Sequence, residues 1–241
     1  MSTMGNTKNV NSAEAIDNLA VRYVFPVGAV SPSDTSNFTC TWSGTGPGPK
    51  PSDYLSFAVS DFEDASRGNG DSVRHCINAI SNAKRALHLQ VESLCESFGF
   101  NLMRNRPRTF PARVEYLERS GVIGKRLLRK LNSVRNDVEH EYRFATLEEA
   151  ELAVDVTELF IESCRLYRAR FPISVQIDIP TPDSTGEVYL REVEACWSKG
   201  IISLNYKHTA DSSSFGCKKQ EVDVNQPEYF EWVRFLVACI D

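Results

Sequence analysis

The chain has 241 residues, enough apolar content for a core, and a formal net charge of -5. That length suits one large domain or two small ones. The acidic balance argues against a protein that coats nucleic acid non-specifically. Seven cysteines at 40, 76, 95, 164, 196, 217 and 239 form no CxxC pair. An odd count without metal spacing points to reduced thiols, hence to a cytoplasmic protein. No signal peptide or apolar span long enough for a membrane helix is visible, so no membrane partner is expected.

Residues 1–50 read as a partly disordered N-terminal extension. A short helix is expected from Ala13 to Ala20 and a short strand over Phe38–Trp42. Gly44–Pro51 is a turn or linker and the best boundary. A helix is then predicted over Pro51–Ala65, with Tyr54, Ala58, Phe62 and Ala65 on one face. Gly68-Asn69-Gly70 breaks it. Asp71 or Ser72 caps a long helix to about Phe98, whose apolar stripe is Val73, Ile77, Ile80, Lys84/Leu87, Val91, Leu94 and Phe98. Cys76, Cys95 and Cys164 fall on apolar helix faces. A third helix runs from Pro111 to Ser120 and stops at Gly121.

The next helix, Gly124 to about Tyr142, holds the most informative residues. Leu127, Leu131, Val134, Val138 and Tyr142 follow helical spacing and mark a buried face. At about 100° per residue, His140 lies opposite Leu131 and Asn136 sits one turn back on that outer face. Arg135 lies at the stripe's edge, where a long side chain can reach around. The trio therefore faces solvent, a substrate or a partner helix. Thr146 and Glu149 then form a capping box for a helix through Ala150, Ala153, Thr157, Phe160, Cys164 and Tyr167, ending at Pro172.

Beyond residue 172 the period changes from helical to alternating. Ile173, Val175, Ile177 and Ile179 alternate as a half-buried strand. Glu187–Trp197 and Ile201–Lys207 read as two strands joined across Ser198-Lys199-Gly200, and Lys219–Val224 as a fourth. Pro227–Ile240 is an amphipathic helix. The expected fold is mainly α: a helical domain over 51–171 and a small α+β unit over 172–241.

A second chemical feature is charge. Arg104, Arg106, Arg108, Arg113, Arg119, Lys125, Arg126, Arg129, Lys130 and Arg135 are opposed in that span only by Glu115 and Glu118. Such a run on an acidic protein suits a local phosphate-binding face, with Lys125, Arg126, Arg129 and Lys130 nearest the motif, or else a solvated basic surface.

Residues 51–171 resemble a HEPN domain (higher eukaryotes and prokaryotes nucleotide-binding). The marks are Asn78-Ala79-Ile80-Ser81-Asn82-Ala83-Lys84, the approach Phe110–Ile123, the signature Arg135-Asn136-Asp137-Val138-Glu139-His140, and the acidic opening Thr146-Leu147-Glu148-Glu149-Ala150. The resemblance implies an up-and-down helical bundle and a metal-independent endoribonuclease. It implies a homodimer whose two motifs form one site, and toxin–antitoxin or antiviral settings with an antitoxin or regulatory partner. It leaves a catalytically silent module, a nucleotide sensor or scaffold, as the alternative.

The residue types fit that chemistry. RNA cleaves itself when its 2′-OH attacks the adjacent phosphate. His140 can move a proton near neutral pH. Arg135 offers a permanent charge in a fork that suits phosphate oxygens. Asn136 can orient the phosphate or the imidazole. No cofactor is called for, and no cluster with metal-ligand spacing is present in the sequence. The plain alternative is an Arg135–Glu139 helix pair beside a solvated His140. His75, His88 and His208 read as ordinary surface or boundary histidines, and Trp42, Trp197 and Trp232 as packing residues.

Overall fold

The computed structural model describes residues 25–41, 48–105, 107–123, 144–182, 188–208 and 218–240. Helix α1 spans Pro51–Ser66 and α2 spans Ser72–Ser97. Proline costs nothing at the first position of α1, because the first amides of a helix have no intrahelical partner. Gly68 and Gly70 in the connecting turn have φ of +68° and +67°, which glycine adopts without steric cost. Of the two expected caps it is Asp71 that acts, its carboxylate accepting from the Arg74 amide at 3.2 Å.

Most of the expected α2 stripe is buried, Ile80, Leu87, Val91, Leu94 and Phe98 included, and it departs only in the first two turns. Val73 and Ile77 remain 40% and 43% exposed, while Cys76, Ala79, Ala83 and Ala86 are buried. In the first half of α2 the contact face is built mostly of small residues: Ala58 and Ala65 of α1 cluster with Ala79 and Ala83, and with Ala150 and Ala153 of α4 (Leu147–Ser163). Small side chains let the helices approach closely. Thr157 in α4 accordingly donates its hydroxyl to the Ala83 carbonyl at 3.4 Å.

Helix α3 spans Phe110–Arg119, capped by Thr109 and followed by Gly121 at φ +71°. The Thr146–Glu149 capping box opens α4 as expected. Helix α4 ends at Ser163, and a short α5 (Arg165–Ala169) completes the turn before the sheet. The apolar period runs straight through that break, since Phe160, Cys164 and Tyr167 are all buried.

The strands are β1 (Thr35–Thr41), β2 (Phe171–Pro182), β3 (Val188–Cys196), β4 (Ile201–His208) and β5 (Lys218–Asp223). They form one five-stranded sheet in the order β1-β2-β3-β4-β5, each strand antiparallel to its neighbours. The architecture is thus mixed, helices plus an antiparallel sheet, rather than mainly α with a small appendage. The sheet is larger than expected because β1 joins it from the N-terminal side of the linker. Phe25 is 1% exposed and its ring lies 6.5 Å from that of Trp232. Residues before the Gly/Pro-rich stretch therefore complete both the sheet and its core.

Helix α6 (Pro227–Ala238) lies within that same core. Val175, Val193, Leu204, Ile202 and Val222 are fully buried on the sheet's inner face. The intervening row pairs Ser174 with Glu194, Glu194 with Ser203 and Ser203 with Glu221, as a period of two requires. The second half of α2, α3 and the end of α4 share this core with the sheet, while α1 and the first half of α2 pack with the start of α4 in a second cluster. Phe98, at the end of α2, packs 4.7 Å from Phe171 and 5.2 Å from Trp197.

Candidate functional site

Two buried anchors bracket the stretch expected to carry the chemistry. Before it, Val122 and Ile123 are buried, and Tyr167 donates its hydroxyl to the Val122 carbonyl at 3.2 Å. After it, Ala145 packs into the α1–α2–α4 cluster and Thr146 caps α4. Arg135, Asn136 and His140 lie between these anchors and outside the described residues, as do Lys125, Arg126, Arg129 and Lys130.

The described part of the basic run divides by role. Arg113 pairs with Glu92 of α2. The guanidinium carbon of Arg119 sits 3.7 Å over the centre of the Phe230 ring, tying α3 to α6. These two cations are thus engaged within the fold. The Arg104 amide donates to Asn225 Oδ1 at 2.7 Å, and the Arg104 and Arg108 side chains are exposed. Arg106 lies outside the described residues.

Among the described residues, α2 and the start of α1 enclose an open cleft of about 470 Å³. Its lining is Pro49, Tyr54, Ser81, Lys84, Arg85, His88, Leu89 and Glu92. Ser81 and Lys84 belong to the Asn78–Lys84 stretch of α2. His88, expected as an ordinary boundary residue, stands in the cleft wall. Its ring is stacked on Phe110 with centroids 4.2 Å apart and planes at 21°. The periodicity that could have revealed this wall is polar. Ser81, Arg85, His88 and Glu92 recur at helical spacing, with Lys84 at the edge of the expected apolar stripe.

A hydrogen-bonded chain backs the cleft. His75 Nδ1 lies 3.2 Å from Asp61 Oδ1, and Asn82 donates to the other Asp61 oxygen at 3.1 Å. Arg85 in turn donates to Asn82 Oδ1 at 3.2 Å. His208 meets Tyr206 edge-on at 5.8 Å. Trp197 donates its indole N–H to the Pro172 carbonyl and Trp232 is buried, both packing roles. Trp42 lies outside the described residues.

The buried thiols are poor nucleophiles. Burial pushes Cys95 and Cys164 up to about 12, so both are protonated at neutral pH. Among the described residues no group of three or more His, Cys, Asp or Glu is placed to hold a metal ion. No helix among them is long and apolar enough to cross a membrane. No protein-family model, no curated protein and no solved structure matches the chain.

Proposed function

We propose that the chain is a metal-independent endoribonuclease of the HEPN type, cleaving RNA by 2′-OH transesterification. The observation that carries this reading is the Arg135-Asn136-x3-His140 spacing, set between helix α3 and the capped helix α4. The long α2, the α3 approach and the Thr146–Glu149 box support a HEPN-like bundle as its setting.

His140 takes the proton from the 2′-OH or returns one to the 5′-oxygen. A single histidine cannot occupy both positions at one phosphate, so two motifs in a homodimer divide the work. Arg135 neutralises charge on the phosphorane in a bidentate grip. Asn136 orients the phosphate or the imidazole. Lys125, Arg126, Arg129 and Lys130 hold the flanking backbone. The proposed setting is the cytoplasm, as a toxin or antiviral effector restrained by a regulatory partner.

The test incubates purified protein with labelled RNA in excess EDTA and identifies the 3′ ends. A 2′,3′-cyclic phosphate is expected, and a 2′-deoxy residue at the scissile position blocks cleavage. His140→Ala loses activity by a factor of about 100 or more. Products ending in a 3′-hydroxyl, or activity surviving in His140→Ala, overturn the mechanism. An RNA left intact by the wild type points instead to the silent sensor or scaffold.

A further inference from the structure

The cleft beside α1 and α2 has two chemically distinct walls. One is the polar stripe of α2, in which Lys84 and Arg85 stand beside His88. Glu92 is paired with Arg113, which offsets its charge. Arg85 is gripped from behind by Asn82, and Asn82 by Asp61, at 3.2 Å and 3.1 Å. An arginine steadied in this way offers its remaining donors outward.

The other wall is aromatic. Tyr54 lies at the start of α1 and meets Phe57 edge-on, with ring centres 6.4 Å apart. Phe57 is 56% exposed, so the fold leaves a large ring in water beside the cleft's own tyrosine. A cavity of about 470 Å³ lies within the size range, roughly 300–1,000 Å³, that holds one small ligand. Cations on one side and an accessible aromatic on the other match one nucleotide unit, with its phosphate and its planar base.

We propose that this cleft binds one nucleotide of a single-stranded RNA, with the phosphate on Lys84 and Arg85 and the base against Tyr54. The subsite is built from residues before the Arg135–His140 motif. It rests on the RNA-directed reading above but does not require cleavage. A free nucleotide carries the same chemistry, so the experiment separates the two sources.

Fluorescence anisotropy of a labelled oligouridylate is measured on the full chain carrying His140→Ala, so that the probe survives. Arg85→Glu or Tyr54→Ala added to that chain should weaken binding at least tenfold. Tyr54→Phe, which keeps the ring, should restore it. The salt slope should fall by about 0.7 for each phosphate that is no longer neutralised, a change that mere destabilisation does not produce. Uridine monophosphate is titrated as competitor and should displace the strand only weakly. Oligonucleotide binding absent from the starting chain, binding unchanged in both variants, or tight binding of the monophosphate alone overturns the proposal.

Failure of the two readings is distinguishable. If the strand binds the cleft but the wild type cleaves nothing, the nuclease reading falls and the subsite stands. If the wild type cleaves and KM is unchanged in Arg85→Glu and Tyr54→Ala, the subsite falls and the nuclease stands.

Discussion

Tyr229 in α6 donates its hydroxyl to the main-chain carbonyl of Phe98, 3.1 Å away across 131 positions of sequence. Tyr116 of α3 donates to the same oxygen, filling both of its lone pairs where α2 ends. Burial drives both phenols above their ordinary range, which favours the protonated, donating form. Tyr116→Phe or Tyr229→Phe alone should cost about 0.5–1.5 kcal/mol, because the carbonyl keeps one donor. The double variant takes both away and should cost at least about 0.5 kcal/mol more than the sum of the singles. Urea unfolding of the four proteins measures the coupling. Strict additivity would show that the hydroxyls act independently.

The buried cysteines give a pH dependence with a definite sign. Burial lifts Cys95 and Cys164 from the ordinary 9.0 to about 12. The unfolded chain therefore loses these protons before the folded one does. Their contribution is fully present below about pH 9 and is lost as pH rises toward 12. Stability to urea should accordingly fall across that window. At pH 8 iodoacetamide should modify exposed Cys40 readily, while Cys95 and Cys164 react only after unfolding. Peptide mass spectrometry reads each site separately. Fast labelling of Cys164 in native protein would contradict its burial.

The helical part of this fold is legible in the sequence because its punctuation is local. Pro51, Gly68, Gly70, Asp71, Thr109, Gly121 and the Thr146–Glu149 box each act within a few residues of where they stand. The alternation of Val175 and Ile177 reveals β2 for the same reason. What escapes is non-local. Nothing near Thr35–Thr41 says that its partner is Phe171–Ile177, more than a hundred residues on. Only at the start of α2 does the apolar stripe mislead, at Val73 and Ile77, because alanine carries little weight in an apolar pattern yet decides how closely helices pack. Tyr54 of α1 joins the polar stripe of α2 in one cleft only through tertiary contact. The motif residues Arg135, Asn136 and His140 remain readable through spacing alone.

The N-terminal segment should prove part of the folded body. Phe25 sits against Trp232, Val30 is buried, and β1 covers the edge of β2. Phe25→Ala should destabilise by about 3–5 kcal/mol, the usual range for emptying a buried phenylalanine site. Deleting residues 1–43 should be worse, since it uncovers a long strand edge as well as the core. Thermal unfolding of Phe25→Ala and the solubility of the truncated chain test this. A truncation that melts like the wild type would mean that the sheet stands without β1.

Substitutions in the basic run should separate into two classes. Arg113 and Arg119 are engaged within the fold, one with Glu92 and one over the Phe230 ring. The ion pair is partly exposed, so Arg113→Ala should cost no more than about 1 kcal/mol. Arg119→Ala should cost about 0.5–1 kcal/mol for the cation–π interaction. Neither should alter the salt dependence of RNA binding. Arg126→Glu, Arg129→Glu and Lys130→Glu together should do the reverse. They should weaken RNA binding and lower its salt slope by about 0.7 for each phosphate left without its cation. Thermal unfolding and binding titrations between low and moderate salt give both readouts on the same variants. If the triple variant binds RNA with the wild-type slope, the basic run is a solvated surface and the phosphates are held elsewhere. If Arg119→Ala lowers the slope while leaving stability unchanged, then Arg119 leaves the Phe230 ring to meet phosphate.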